Sequence, residues 1–222
     1  MVRSTSSSRL SATIGLLVAF FWPLLQLIPG VSTHNLSNPR DLAATVCFEW
    51  LVVFVLALIA FRIQDRRPSD FGLRWPGWRD ILASLAALVI AFILSGIASR
   101  FVHIPSSLNQ AQKMAVVPLA LRFAVVLTAG ICEEFIYRGF AIEELASFTR
   151  GRWLAALIAL LFFTVPHARI YGLSPALLIP GLIGAVLTVL YLSRRNLTAC
   201  MLMHALMDGT FLILLPALSH AK

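Results

Sequence analysis

Long apolar stretches interrupted by short polar ones set the rhythm of this chain. A membrane-crossing helix needs about 20 apolar residues to span a hydrocarbon core of roughly 30 Å. Segments of that kind are predicted over Ser11–Val31, Ala43–Phe61, Ile81–Ser99, Val116–Phe140, Trp153–His167, Ser174–Ser193 and Leu197–Leu218. The fifth is short by this test. The expected fold is all-α, a polytopic membrane protein with seven transmembrane helices, or eight if the fourth region is broken, enclosing a polar cavity. The first run is too long for a signal-peptide core and no Ala-x-Ala cleavage site follows it, so it reads as a retained span.

The polar interruptions carry the orientation. With the N-terminus inside, the inner loops hold Arg3, Arg9, Arg62, Arg66, Arg67, Arg74, Arg79, Arg150, Arg152, Arg194 and Arg195, and the outer loops hold Arg40, Arg100, Lys113, Arg169 and Lys222. Eleven against five predicts N-in, C-out. The inner loop Asp70–Asp80 mixes Phe71, Leu73, Trp75 and Trp78 with Arg74 and Arg79, a composition suited to the headgroup layer.

Composition agrees. Of 222 residues, 59% are hydrophobic and only 13% charged, against about 25% charged in soluble domains. The net charge of +8 does not indicate nucleic acid, because the arginines fall between apolar segments, where they serve topology and anionic lipid. Cys47, Cys132 and Cys200 all lie in apolar segments. They show no metal-site spacing and read as small apolar fillers. Cys132 adjoins the carboxylate pair described next and Cys200 lies one turn before His204, so those two are the cysteines nearest a site.

The informative polar residues are those inside the spans. Glu133 and Glu134 sit in the middle of Val116–Phe140; His167 follows LLFFTVP; His204 and Asp208 lie in CMLMHALMDG. Ionisable groups in a membrane are costly unless they face protein, water or a partner charge. On a helix Glu134 and Arg138 are i and i+4, so the arginine can neutralise one carboxylate. Glu133 points about 100° away and stays free for general-base chemistry on water. Phe163 and His167 are i and i+4, as are His204 and Asp208. If the fourth helix continues to about Phe148, Glu133 and His167 lie at matching depth, roughly 22 Å from the inner surface, with His204 shallower at about 12 Å. Glu49, alone in the second span, is expected to pair with a neighbouring span or reach a water-filled pocket.

Together these residues resemble a known pattern. GICEEFIYRGF (Gly130–Phe140) is similar to the Glu-Glu-x-x-x-Arg-Gly motif of the CAAX-protease and bacteriocin-processing (CPBP, Abi) family. FTVPH (Phe163–His167) resembles its Phe-x-x-x-His motif, and HALMD (His204–Asp208) its final His-x-x-x-Asn/Asp motif. The resemblance spans roughly Val117–Leu215, with a loose likeness of Phe-Gly-Leu-Arg at Phe71 to an upstream linker. It implies one integrated membrane domain, with residues 1–115 supplying N-terminal helices and the interfacial loop, and 116–218 a CAAX-protease-like catalytic core. It also implies an intramembrane endopeptidase acting on a peptide or protein substrate in or at the bilayer, in a bacterial cell membrane. In that reading Glu133 activates water, His167 holds it, and His204 and Asp208 stabilise the oxyanion. Glu134, Arg138 and Phe163 give support. Asp208 stands where the eukaryotic members usually have Asn. An ionised Asp cannot donate to an oxyanion, so Asp208 is protonated, orients His204, or binds a metal. No cofactor is required by this scheme; zinc held by Glu133, His167 and His204 is the alternative. The competing functions are a non-catalytic adaptor or immunity protein that keeps the motifs as a polar core, and a proton-coupled transporter.

Overall fold

In a computed structural model of the chain, residues 6–25, 38–102, 113–149 and 151–220 are described. Arg3, Arg150, Lys222 and the last six residues of the first predicted span lie outside them. The described chain is helical, with no strand. The main helices are α1 (Ser6–Leu25), α2 (Pro39–Ile63), α3 (Trp78–Ala98), α4 (119–148), α5 (Arg152–Thr164), α6 (Leu178–Arg194) and α7 (Leu197–Leu218). Among the described residues, four helices are long and apolar enough to cross a membrane: α2, α3, the Pro175–Arg194 helix that contains α6, and α7. Arg9–Phe21 and Arg152–His167 are apolar but shorter. The short fifth segment has a local cause. Pro166 cannot continue an α-helix, and Val165–His167 winds as a 3₁₀ turn.

Helix starts follow from their caps. Asn38 accepts a hydrogen bond from the Arg40 amide, with Pro39 in the first turn of α2. Asn196 accepts from the Ala199 amide and opens α7. Asp80 reaches back to the Gly77 amide at the start of α3.

The bundle is apolar on the outside and small inside. On α3, Ile81, Leu82, Leu85, Val89, Ile93 and Ile97 are exposed, while Ser84, Ala87, Ala91, Ser95 and Ala98 are buried. In lipid, large apolar side chains lose nothing by facing outward, and small ones let backbones approach. The Ser84 hydroxyl accordingly donates across to the Ala199 carbonyl of α7 at 2.8 Å.

The fourth region is unbroken. Three consecutive segments of 10, 13 and 7 residues run through to Phe148. The middle one, Ala129–Ala141, is wound as a π-helix rather than the α-helix expected, and the Ile142 amide bonds back to the Tyr137 carbonyl. Two glycines flank its chemistry. A Cβ on Gly130 would lie 3.2 Å from the Ala205 nitrogen and the Met201 oxygen of α7. One on Gly139 would lie 3.0 Å from Leu197. Only glycine lets this stretch lie so close against α7.

At one end of the bundle the polar loops lock together. Asp80 accepts from Arg194 at 2.8 Å and from Asn196 at 2.9 Å. Glu143 pairs with Arg195 and accepts from the Tyr191 hydroxyl at 3.0 Å. Glu144 pairs with Arg66. The loops predicted to share the inner face therefore do share one end. The Asp70–Asp80 loop is only half of what was expected. Trp75 is 93% exposed, as an interfacial residue should be. Phe71 is not at the surface: it is fully buried, stacked on Phe140 and edge-on to Phe61. The turn at Gly72 (φ +72°) drives it inward. There a Cβ would meet Tyr191 and the Arg195 carbonyl, while the Gly72 oxygen accepts from the Leu197 amide at 2.7 Å.

Candidate active site

Glu134 is the hub of the buried polar residues. It has no solvent exposure, and its Oε1 accepts from Arg138 Nη1 at 2.8 Å within the same helix. The same oxygen lies 2.8 Å from Nδ1 of His204 on α7. A carboxylate already paired with a guanidinium accepts here, so the imidazole Nδ1 carries the hydrogen. Arg138, 1% exposed, spends a second nitrogen on the Gly184 carbonyl of α6 at 3.0 Å. Its guanidinium also lies 4.2 Å from the centre of the Phe163 ring. Phe163 is in turn edge-on to Tyr137 and 4.9 Å from the His167 ring. The i,i+4 pairing of Glu134 with Arg138 is as the sequence suggests. The link from Glu134 to His204 was not foreseen.

That link changes the part Asp208 plays. Asp208 Oδ2 lies 3.6 Å from His204 Nε2, within ion-pair range but beyond a hydrogen bond. The carboxylate that orients His204 is therefore Glu134, not its i+4 neighbour. With Nδ1–H committed to Glu134, His204 has a proton to offer a ligand from Nε2 only as the imidazolium, the form that a carboxylate beside each ring nitrogen suits. His167 is fixed differently. Its Nδ1 lies 2.8 Å from the Phe163 carbonyl, which can only accept, so Nδ1–H donates and Nε2 is left for a ligand.

A cavity of about 500 Å³ lies in front of these groups, lined by Glu133, His167, His204 and Asp208 among others. All four residues expected to do chemistry thus face one space. Glu134 and Arg138 lie behind its wall; Phe163 forms part of it. His204 reaches this level despite its shallower predicted depth. A π-helix puts more residues into each turn and advances less per residue, which brings Glu133 and Glu134 nearer the α7 start. The walls beyond the polar end are mostly apolar, including Leu42, Val46, Phe92, Ile179, Met207 and Phe211. They extend to Ser99 at the end of α3 and to Met114, away from the end where Glu143 meets Arg195. Helices from both halves of the chain therefore build the space.

Among the lining residues that the sequence does not mark as part of the site are Glu49, Ser95 and Tyr171. For Glu49 the signal was there, a lone carboxylate in an apolar span. It takes the pocket-facing option, not the paired one. Ser95 and Tyr171 carried no signal, since a serine in a small-residue stripe and a tyrosine in a loop are ordinary. Cys132 and Cys200 are buried but do not line the cavity, and Cys47 is exposed. Among the described residues no three His, Cys, Asp or Glu side chains are gathered to hold a metal ion. Glu133, His167 and His204 share the cavity without forming a zinc-type ligand set.

Comparison with known proteins identifies relatives of the chain. Residues 115–210, which hold Glu133, Glu134, Arg138, His167, His204 and Asp208, match the family described as type II CAAX prenyl endopeptidase, Rce1-like. The UPF0177 protein YvdC of Lactococcus lactis subsp. lactis (strain IL1403) is 34% identical over 192 residues, covering 82% of this chain and 71% of that protein. No solved structure matches. With the three motifs gathered around one cavity in a helical bundle, the chain belongs to the CAAX-protease and bacteriocin-processing family of membrane proteins.

Proposed function

We propose that the protein is an intramembrane endopeptidase that hydrolyses a peptide bond of a membrane-associated substrate with water activated by Glu133. The observation that carries this reading is the meeting of Glu133, His167, His204 and Asp208 on one cavity, while Glu134 and Arg138 are used up behind it. Glu133 makes no hydrogen bond to the described residues, and its Oε2 is buried without a partner. A carboxylate so placed is free to take a proton from water. His167 Nε2 holds that water. As the tetrahedral intermediate forms, His204 Nε2–H is the donor aimed at the developing oxyanion. The Glu134–Arg138–Gly184 chain keeps that ring fixed, so little reorganisation accompanies the charge. The apolar walls suit a substrate whose cleavage site lies beside an apolar segment.

The test is cleavage of a quenched peptide library by purified protein in detergent, beside Glu133→Gln. This variant keeps the shape and removes the base. Loss of at least about 10²-fold in rate, with unchanged elution as a folded species, is expected from removal of a general base. Undiminished cleavage by the variant contradicts the reading. No cleavage by the unsubstituted protein, with a biological activity that survives Glu133→Gln, indicates an adaptor.

A further inference from the structure

Glu49 is an ionisable residue of the cavity to which the hydrolytic scheme gives no part. It lies in the middle of α2, which carries no other charged residue from Leu42 to Phe61. Among the described residues its carboxylate forms no hydrogen bond or ion pair, and its Oε2 is buried without a partner. A group of that cost in a lipid-embedded helix requires an explanation. Structural pairing does not provide one. The polar bond that ties α2 to α4 is made by its neighbour, Trp50, whose Nε1–H donates to Thr128 Oγ1 at 3.0 Å. That bond sets the register of the two helices, with Glu49 next to one partner and Glu133 five residues beyond the other.

The two carboxylates share their surroundings on both sides. Besides the large cavity, a smaller one of about 80 Å³ lies toward α1, lined by Ala19, Pro23 and Pro166 among others. Glu49, Glu133, Phe163 and His167 are the residues that line both. Glu49 and Glu133 therefore stand where the two spaces meet, within electrostatic reach of each other. The nearest arginine on this helix, Arg138, is committed to Glu134 and Gly184. Two carboxylates that line one space, neither of them in an ion pair, favour holding one proton between them.

We propose that Glu49 is the general acid of the reaction, the proton donor to the leaving amine. This rests on the hydrolytic reading above and adds a residue to it. Glu133 takes one proton from water while the oxygen bonds to the scissile carbon. Glu49, protonated, gives its proton to the departing nitrogen as the C–N bond breaks. The carbon keeps the hydroxyl of the attacking water and leaves as the carboxylic acid. The proton on Glu133 then passes to Glu49 across the space they share, and both return to their starting states. Amines are poor leaving groups until protonated, so a dedicated donor acts on the step that most limits amide cleavage.

The experiment uses the full chain in detergent and two probes of one sequence. One is the quenched apolar peptide cleaved fastest from the library; the other is its depsipeptide, with an ester at the scissile position. An alkoxide leaves with far less help than an amine. Glu49→Gln is expected to slow the amide at least about 100-fold and the ester far less. Glu133→Gln is expected to slow both alike. Glu49→Asp keeps an acid in place and is expected to recover part of the amide rate. Elution as a single folded species in detergent serves as the measure of folding in each variant. Amide and ester slowed equally in Glu49→Gln, or an amide rate left unchanged, overturns the role of Glu49 while leaving that of Glu133 intact. A lack of recovery in Glu49→Asp with ester turnover preserved also overturns it. If the unsubstituted protein cleaves neither probe, the hydrolytic reading fails and this role fails with it.

Discussion

The residues at the centre of this bundle divide between those that face the cavity and those that hold them there. Arg138 is the strongest case of the second kind. It is fully enclosed and serves one carboxylate, one carbonyl and one aromatic ring. Removing one partner of a buried pair costs about 3–5 kcal/mol, because the other charge is left uncompensated. Arg138→Met is therefore expected to lower the unfolding temperature in detergent sharply. Adding Glu134→Gln to it should restore part of the loss, since the stranded charge is then gone. A double variant no more stable than Arg138→Met would contradict the pairing. The Glu134–Arg138 pair was legible in the sequence, because i,i+4 spacing on a helix is a local fact. The bond from Glu134 to His204 was not, because it joins residues on α4 and α7 whose relative rotation no local pattern encodes. Asp208 looked like the orienting group for the same reason: it is the near neighbour in sequence, and at 3.6 Å it is near in space as well.

Helix α4 shows what a single element adds. Its length through Phe148 decides whether Glu133 and His167 can meet, and the apolar pattern alone stopped at Phe140. The continuation was obscured by Glu143 and Glu144, which look like a loop but are buried against Arg195 and Arg66. The π-winding of Ala129–Ala141 left no trace in the sequence, since its apolar spacing differs little from that of an α-helix over so few turns. The glycines were the one available hint. Gly130→Val would set a branched side chain against backbone atoms of α7 that cannot yield. Overpacking of this kind costs about 1–3 kcal/mol, and here it also draws Glu134 away from His204. Thermal unfolding and peptide cleavage should both fall in this variant. Cleavage at the normal rate would mean that the close approach of α4 to α7 does not matter to the site.

For the whole molecule, the alternation of spans and arginine-rich loops was the most legible feature. Loops read as inner from charge alone meet at one end through Asp80, Glu143 and Glu144. What was hidden is the share of the first half in the cavity. Phe92, Ser95 and Glu49 line it from α3 and α2, and nothing in those helices except Glu49 departs from an ordinary apolar pattern. The interfacial loop was half legible for the same reason. Trp75 and Phe71 look alike as aromatic residues, and only the Gly72 turn separates the exposed one from the buried one. Orientation in the membrane has a direct check. With Cys47 replaced by Ser, a cysteine at the exposed Trp75 position should react with an impermeant maleimide only in inverted vesicles. One at the exposed Phe101 position should react only in right-side-out vesicles. The reverse pattern would place the arginine-rich end outside.

In the proposed reaction Glu133 activates a water that attacks a peptide bond inside the membrane. Its most direct measurement is cleavage of a peptide by the purified protein in H₂¹⁸O, with the fragments weighed by mass spectrometry. One ¹⁸O is expected in the new terminal carboxyl group with the unsubstituted protein, and almost no fragment with Glu133→Gln. Fragments produced at the same rate by both proteins would contradict it.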